Sequence, residues 1–283
     1  MNVISIPLLT ALLLILANCG AHAAGIKSKA AAPTMQKKVS TPPEDPFLLL
    51  QKAAAQGVAE AQYNLGWMYF KGEVVPKDTA KSFEWFQKAA AQGHAGAQFL
   101  LGVMYAKGDG TSKNSANAIE WFQKAATKGH AEAQFFLGVI YAYGEGAPKD
   151  VAKAMEWYQK AAAQGHAEAQ YNLGWMYSNG EGVRKDIAKT FEWFQKAAAQ
   201  QHAEAQYNLG IMYRDGEGVT KDVAKAIEWL QKAAAQQHAD AQYNLGLMYR
   251  DGEGVTKDNM KAIEWFQKAA SQGHETAQFI LKM

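Results

Sequence analysis

The chain has 283 residues, of which 48% are hydrophobic and 20% charged, with a formal net charge of +2. Lys and Glu alternate along it instead of gathering into a basic patch, so nothing in the charge pattern points to nucleic acid. Cys19 is the single cysteine, which excludes a disulfide within the chain and leaves packing to hold the fold.

The N-terminus reads as an export signal. Leu8 to Ala17 is an apolar run too short to span a bilayer comfortably, and it ends in small residues. Two export readings compete. Ala21-His22-Ala23 fits a signal peptidase site, making residues 1–23 a cleaved signal peptide. Alternatively, Leu16-Ala17-Asn18-Cys19 resembles a bacterial lipobox with Cys19 as a lipidated first residue, although Asn18 is a poor residue in that position. The expected location is the periplasm or the exterior, with a membrane contact only if Cys19 is lipidated, as in an outer-membrane lipoprotein. Residues 24–45, rich in Lys, Ala, Ser, Thr and Pro, have little to bury and read as a flexible linker.

From residue 46 onward one unit of 36 residues recurs. Gly66, Gly102, Gly138, Gly174, Gly210 and Gly246 stand 36 apart, and so do Trp85, Trp121, Trp157, Trp193, Trp229 and Trp265. In the unit 131–166, Ala133, Leu137, Ile140 and Tyr141 form one apolar face of a first helix. A glycine within a helix costs about 1 kcal/mol relative to alanine, so Gly138 and its equivalents imply a compensating close approach between helices. Gly144-Glu145-Gly146 breaks that helix, and Pro148 is placed near the start of the next. The second helix buries Ala154, Met155, Trp157, Tyr158, Ala161 and Ala162, which makes the Trp ladder core. Its outer face repeats a Glu–Lys pair four residues apart, as at Glu156 and Lys160. Gly165 caps its end, a role that Gln201 and Gln237 fill less well in the following units. The expected fold is therefore an all-α solenoid of six helix–turn–helix repeats: 59–94, 95–130, 131–166, 167–202, 203–238 and 239–274. Half-repeats at either end, Phe47 to Gly57 and Glu275 to Met283, cap the stack.

No catalytic centre emerges. His94, His130, His166, His202, His238 and His274 share the period, which sets equivalents about 10 Å apart, whereas metal donors lie within roughly 2.2 Å of one ion. They read as helix-start residues. Asp215-Gly216-Glu217-Gly218 fails the calcium-loop pattern, since Val219 and Ala226 stand where oxygen ligands belong. No phosphate-binding loop or nucleophile elbow is present, so no enzyme activity, cofactor or metal is expected.

The runs Ala167-Glu168-Ala169-Gln170-Tyr171-Asn172-Leu173-Gly174-Trp175-Met176-Tyr177, Asn179-Gly180-Glu181-Gly182-Val183 and Phe191-Glu192-Trp193-Phe194-Gln195-Lys196-Ala197-Ala198 resemble the Sel-one-like repeat, a 36-residue relative of the tetratricopeptide repeat. The resemblance implies a right-handed superhelix with first helices lining its concave side. It implies a scaffold or adaptor that binds other proteins or, alternatively, a periplasmic immunity protein against a toxin such as a phospholipase. A cysteine-rich branch linked to β-lactam binding suggests a third reading, a hydrolase or a peptidoglycan- or β-lactam-binding protein. This chain lacks the cysteines of that branch.

In the implied groove, the residues that break the repeat are the ones able to choose a partner. Leu100 and Phe136 replace an asparagine found at Asn64, Asn172, Asn208 and Asn244. With Val103 and Val139 they make an apolar centre, flanked by Trp67, Tyr143 and Trp175, and these seven residues are the expected partner-binding set. If Leu100 and Phe136 instead belong to the core, replacing both with Asn unfolds the protein.

Overall fold

The computed structural model describes residues 45–282, and among them every regular element is an α-helix. The expected export signal and nearly all of the linker lie outside the described residues. The helices run α1 (Pro46–Ala55), α2 (Ala59–Lys71), α3 (Thr79–Ala91), α4 (Ala95–Lys107), α5 (Ser115–Thr127), α6 (Ala131–Tyr143), α7 (Val151–Ala163), α8 (Ala167–Asn179), α9 (Ile187–Ala199), α10 (Ala203–Asp215), α11 (Val223–Ala235), α12 (Ala239–Asp251), α13 (Asn259–Ser271) and α14 (Glu275–Ile280). They pair into an all-α solenoid that divides after Asp150 into two units, α1–α6 and α7–α14.

Local chemistry sets where each helix starts and stops. First helices begin behind a histidine: Nδ1 of His94, His130, His166, His202, His238 and His274 accepts the N–H of the alanine three residues on. Second helices begin behind Asp78, Asn114, Asp186, Asp222 and Asp258, whose side chains do the same. The turn 111–114, which ends in Asn114 where the others end in Asp, keeps this device. Pro148 stays in the turn, and α7 starts three residues later at Val151. At the ends of second helices Gly165 has φ +88°, and Gln201 and Gln237 are forced to φ 66° and 65° in the same place.

The repeated glycine makes room for a side chain. A Cβ on Gly66, Gly102, Gly174 or Gly246 would lie 2.5–2.7 Å from the ring of Phe86, Phe122, Phe194 or Phe266, and on Gly210 it would lie 2.8 Å from Leu230. The close approach that offsets glycine's helix penalty is thus ring against backbone. That ring is the core residue of the second helix. The tryptophan before it is only half-buried, which corrects the expectation of a Trp core. Instead each Trp forms a shelf for the lysine three residues on, with Nζ of Lys88, Lys124, Lys160, Lys196, Lys232 and Lys268 lying 4.0–4.1 Å from the ring centroid. The outer Glu–Lys pair closes to 2.6 Å at Glu120–Lys124 and Glu228–Lys232.

Buried glutamines tie each first helix to the helix before it. Nε2 of Gln62, Gln98, Gln134, Gln170, Gln206 and Gln242 donates to an alanine carbonyl eight residues back. Each of these carbonyls also accepts the backbone N–H three residues on, so the glutamine supplies a second hydrogen bond at the end of the second helix.

Candidate partner-binding surface

The expected surface closes over in the N-terminal unit. Leu100, Val103, Phe136 and Val139 are buried, at 3%, 1%, 0% and 4% exposure, so they are core rather than an open apolar centre. Aromatic packing accounts for it. Phe136 stacks on Phe122 at 5.5 Å between centroids and sits 5.7 Å from Phe99. With no amide to keep hydrated, Leu100 and Phe136 turn the polar face of α4 and α6 into a second packing face, and both helices bury most of their circumference. The flanking aromatics fare differently. Tyr143 is 45% exposed, Trp67 is half-buried under Lys71 at 5.7 Å, and Trp175 is half-buried.

In the C-terminal unit the same face stays open. Asn172, Trp175, Asn208, Ile211, Asn244 and Leu247 are all half-buried, an alternation of amide and apolar side chains along α8, α10 and α12. Asn208 and Asn244 each donate Nδ2 to the carbonyl four residues back at 2.8 Å, which fixes their rotamers. Arg214 bridges two repeats, with Nη1 donating to Asn244 Oδ1 at 2.7 Å and Nε to Asp215 Oδ1 at 2.8 Å. The bond to Asp215 raises the pKa of Arg214 and lowers that of Asp215. Arg250 pairs with Asp251 in the same way. The sequence places these asparagines and arginines in the implied groove, but the departures at Leu100 and Phe136 stand out more than the regular positions do.

Two further positions of the first helix, 60 and 63, belong between repeats. The ring at position 63 and its equivalents lies under the next histidine: Tyr63–His94, Phe99–His130, Tyr171–His202, Tyr207–His238 and Tyr243–His274 stack at 4.3–4.7 Å. The acid at position 60 meets the other ring nitrogen, with Nε2 of His94, His202 and His238 2.9–3.0 Å from Glu60, Glu168 and Glu204. His274 meets Asp240 at 3.2 Å. The His238 bond, working against burial, holds Glu204 below the ordinary carboxylate range. Both nitrogens of these histidines are thereby committed, and among the described residues no group of three or more His, Cys, Asp or Glu is placed to hold a metal.

The family model for the Sel1 repeat matches residues 47–58, 59–94, 95–130, 131–166, 167–202, 203–238 and 239–274. The chain belongs to the Sel1 repeat family. The Sel1 repeat is a non-catalytic module for protein–protein interaction. Among solved structures, the chain is 38% identical to a protective antigen of uropathogenic Escherichia coli with an SLR fold, at TM-score 0.79 over 82% of this chain. It spans 50% of that antigen's length. A Sel1 repeat protein from Oxalobacter formigenes is 35% identical at TM-score 0.72, covering 80% of this chain and 93% of the other. The immunity protein Pa5087 from Pseudomonas aeruginosa, 21% identical at TM-score 0.43 over 81% of this chain and 83% of its own, is like it in repeat fold alone. No curated protein matches the chain in sequence.

Proposed function

We propose that this Sel1 repeat protein is an exported adaptor whose protein partner binds the first-helix face of the C-terminal unit. The observation that carries the reading is the open alternation of Asn172, Trp175, Asn208, Ile211, Asn244 and Leu247, set against its filled counterpart on α4 and α6. Rigid amides beside half-exposed apolar groups offer hydrogen bonds and anchoring contact on one face, the composition found where partners bind. Trp175 belongs both to the set expected from sequence and to this open face. No helix among the described residues is long and apolar enough to cross a membrane, in keeping with an exported protein.

Site-specific photo-crosslinking in the producing cell tests this. A photoreactive residue at Ile211 or Leu247 should capture a discrete adduct, and one at Gln231, exposed on the outer face of α11, should not. Equal capture at all three positions overturns the assignment. The alternative reading makes the partner a secreted toxin, so that the protein acts as an immunity protein. Beside it stands the fold-level likeness to Pa5087. In that case co-expression protects cells from the toxin, and Trp175→Ala with Leu247→Ala removes the protection.

A further inference from the structure

The first and fourth repeats share the stretch Tyr-Asn-Leu-Gly-Trp-Met-Tyr, at 63–69 and 171–177, and part company straight after it. In the fourth repeat Ser178 and Asn179 follow, and Asn179 Nδ2 donates to the Trp175 carbonyl at 2.9 Å. In the first repeat Phe70 and Lys71 follow. Phe70 sets its ring edge-on to Trp67, with centroids 5.4 Å apart, and both rings are half-buried. Ala106, Ala142, Ser178, Arg214 and Arg250 hold the place of Phe70 in the other repeats, so this pair of rings occurs once.

A cation stands beside each ring. Lys71 Nζ lies 5.7 Å from the Trp67 centroid and Lys77 Nζ 5.9 Å from that of Phe70. The turn folds Lys77 back against the end of α2, where a Cβ on Gly72 would lie 2.8 Å from Cβ of Lys77. Both contacts sit near the outer limit for a cation over a ring, well beyond the 4.0 Å of Lys88 over Trp85. Neither lysine forms an ion pair among the described residues. Lys107 has the place of Lys71 at the end of α4 and forms none either. Burial pulls its pKa below the ordinary value against the charge of Asp109.

Two turns of the C-terminal unit treat the same place differently. Arg214 pairs with Asp215 and Arg250 with Asp251, each at 2.8 Å. Residues 214–221 and 250–257 each hold two cations and two acids, whereas 70–77 and 106–113 each hold two lysines and one acid, Glu73 or Asp109. Positive charge is thus left over at the ends of α2 and α4, and at α2 it flanks half-open rings. We propose that the end of α2 and the turn after it bind a short acidic peptide segment of a partner, with an apolar side chain of that segment on Trp67 and Phe70 and its carboxylates on Lys71 and Lys77. Carboxylates on either side of a ring repeat the order of cation and ring on this surface. The three lysines are too few to follow a phosphate backbone, and Glu73 and Asp109 among them would repel one. This surface is separate from the partner face proposed for the C-terminal unit, and either can fail without the other.

The test uses the end-blocked peptide Glu-Glu-Phe-Glu-Glu and follows the indole N–H resonance of Trp67 in the full chain, assigned through Trp67→Phe. Titration should move that resonance and leave those of the six outer tryptophans in place. The uncharged peptide Gln-Gln-Phe-Gln-Gln should bind about tenfold more weakly. Lys71→Gln with Lys77→Gln changes two exposed side chains, so it should keep the helical circular dichroism signal and weaken the acidic peptide by about the same factor. Phe70→Ser copies the fourth repeat and should weaken both peptides. A Trp67 resonance that the acidic peptide does not move, as when residues 1–44 cover the rings, overturns the proposal. So does an equal response to the two peptides, or an equal response of wild type and the double lysine variant. A shift produced by phosphatidylglycerol vesicles or by a single-stranded oligonucleotide, and not by the peptide, overturns it in favour of a membrane or a nucleic acid.

Discussion

The two units use one repeat to opposite ends. In the N-terminal unit α4 and α6 turn the face that carries asparagine elsewhere into core, through Leu100 and Phe136. In the C-terminal unit α8, α10 and α12 keep Asn172, Asn208 and Asn244 on that face, partly open to solvent. One apolar residue in place of an amide thus changes a helix from covered on one side to covered almost all round. An apolar break in a solenoid pattern marks a reinforced segment here, while the unbroken pattern leaves its face partly open.

The largest test of the contrast exchanges the two residue types. Phe136→Asn removes a ring stacked on Phe122 and leaves a buried amide, so thermal unfolding followed by circular dichroism should show a loss on the order of 3–5 kcal/mol. Asn208→Leu, made on the half-buried face of α10, should shift the same curve by about 1 kcal/mol or less. Comparable losses from both would erase the distinction.

Next in size is the interlocking glycine. Gly102→Ala drives a methyl group against the Phe122 ring and should cost about 1–3 kcal/mol. Gly210→Ala meets Leu230, whose side chain can change rotamer, and should cost less on the same denaturant titration. In the opposite direction, Gln201→Gly relieves a left-handed backbone at φ 66° in the C-terminal unit and should raise stability by about 0.5–1 kcal/mol.

The smallest effect is one of pH. Burial pushes the His130 pKa below its ordinary 6.5, against the opposing charge of Glu132 and with a lesser push from His94. Gly96 stands where other repeats place the acid that meets Nε2. The unfolded chain therefore takes up the proton first. The stability this histidine contributes is present above about pH 6.5 and falls as pH drops from there toward the folded value. His130→Asn keeps a capping side chain and should flatten that part of the stability–pH curve.

Much of the fold was legible because helix-forming periodicity and the 36-residue period are both properties of the sequence. The positive φ of Gln201 followed from its alignment with Gly165, and the capping role of the histidines from their place before each first helix. What could not be read was what stands opposite a given face. A 3.6-residue period places Trp121 and Phe122 on the inward side together, but only the gap left by Gly102 decides that the Phe ring goes in. Likewise, the burial of Leu100 and Phe136 depends on rings supplied by other helices, Phe99 and Phe122. Of the candidate surface, only Trp175 stood out in the sequence, for the same reason. Its residues look like scaffold until the other unit shows them covered.

The recurring hydrogen bonds and His–ring stacks between repeats span 30 to 34 residues, which is less than one period. Cutting out or duplicating a whole period leaves each such contact with partners of the same kind, whereas a change of another length within a helix shifts the partners of those that span it. Repeat number is therefore a quantity that gene duplication and slippage can alter in single steps without repair elsewhere. The reach of the proposed binding face can be lengthened or shortened by inheritance before any of its residues changes.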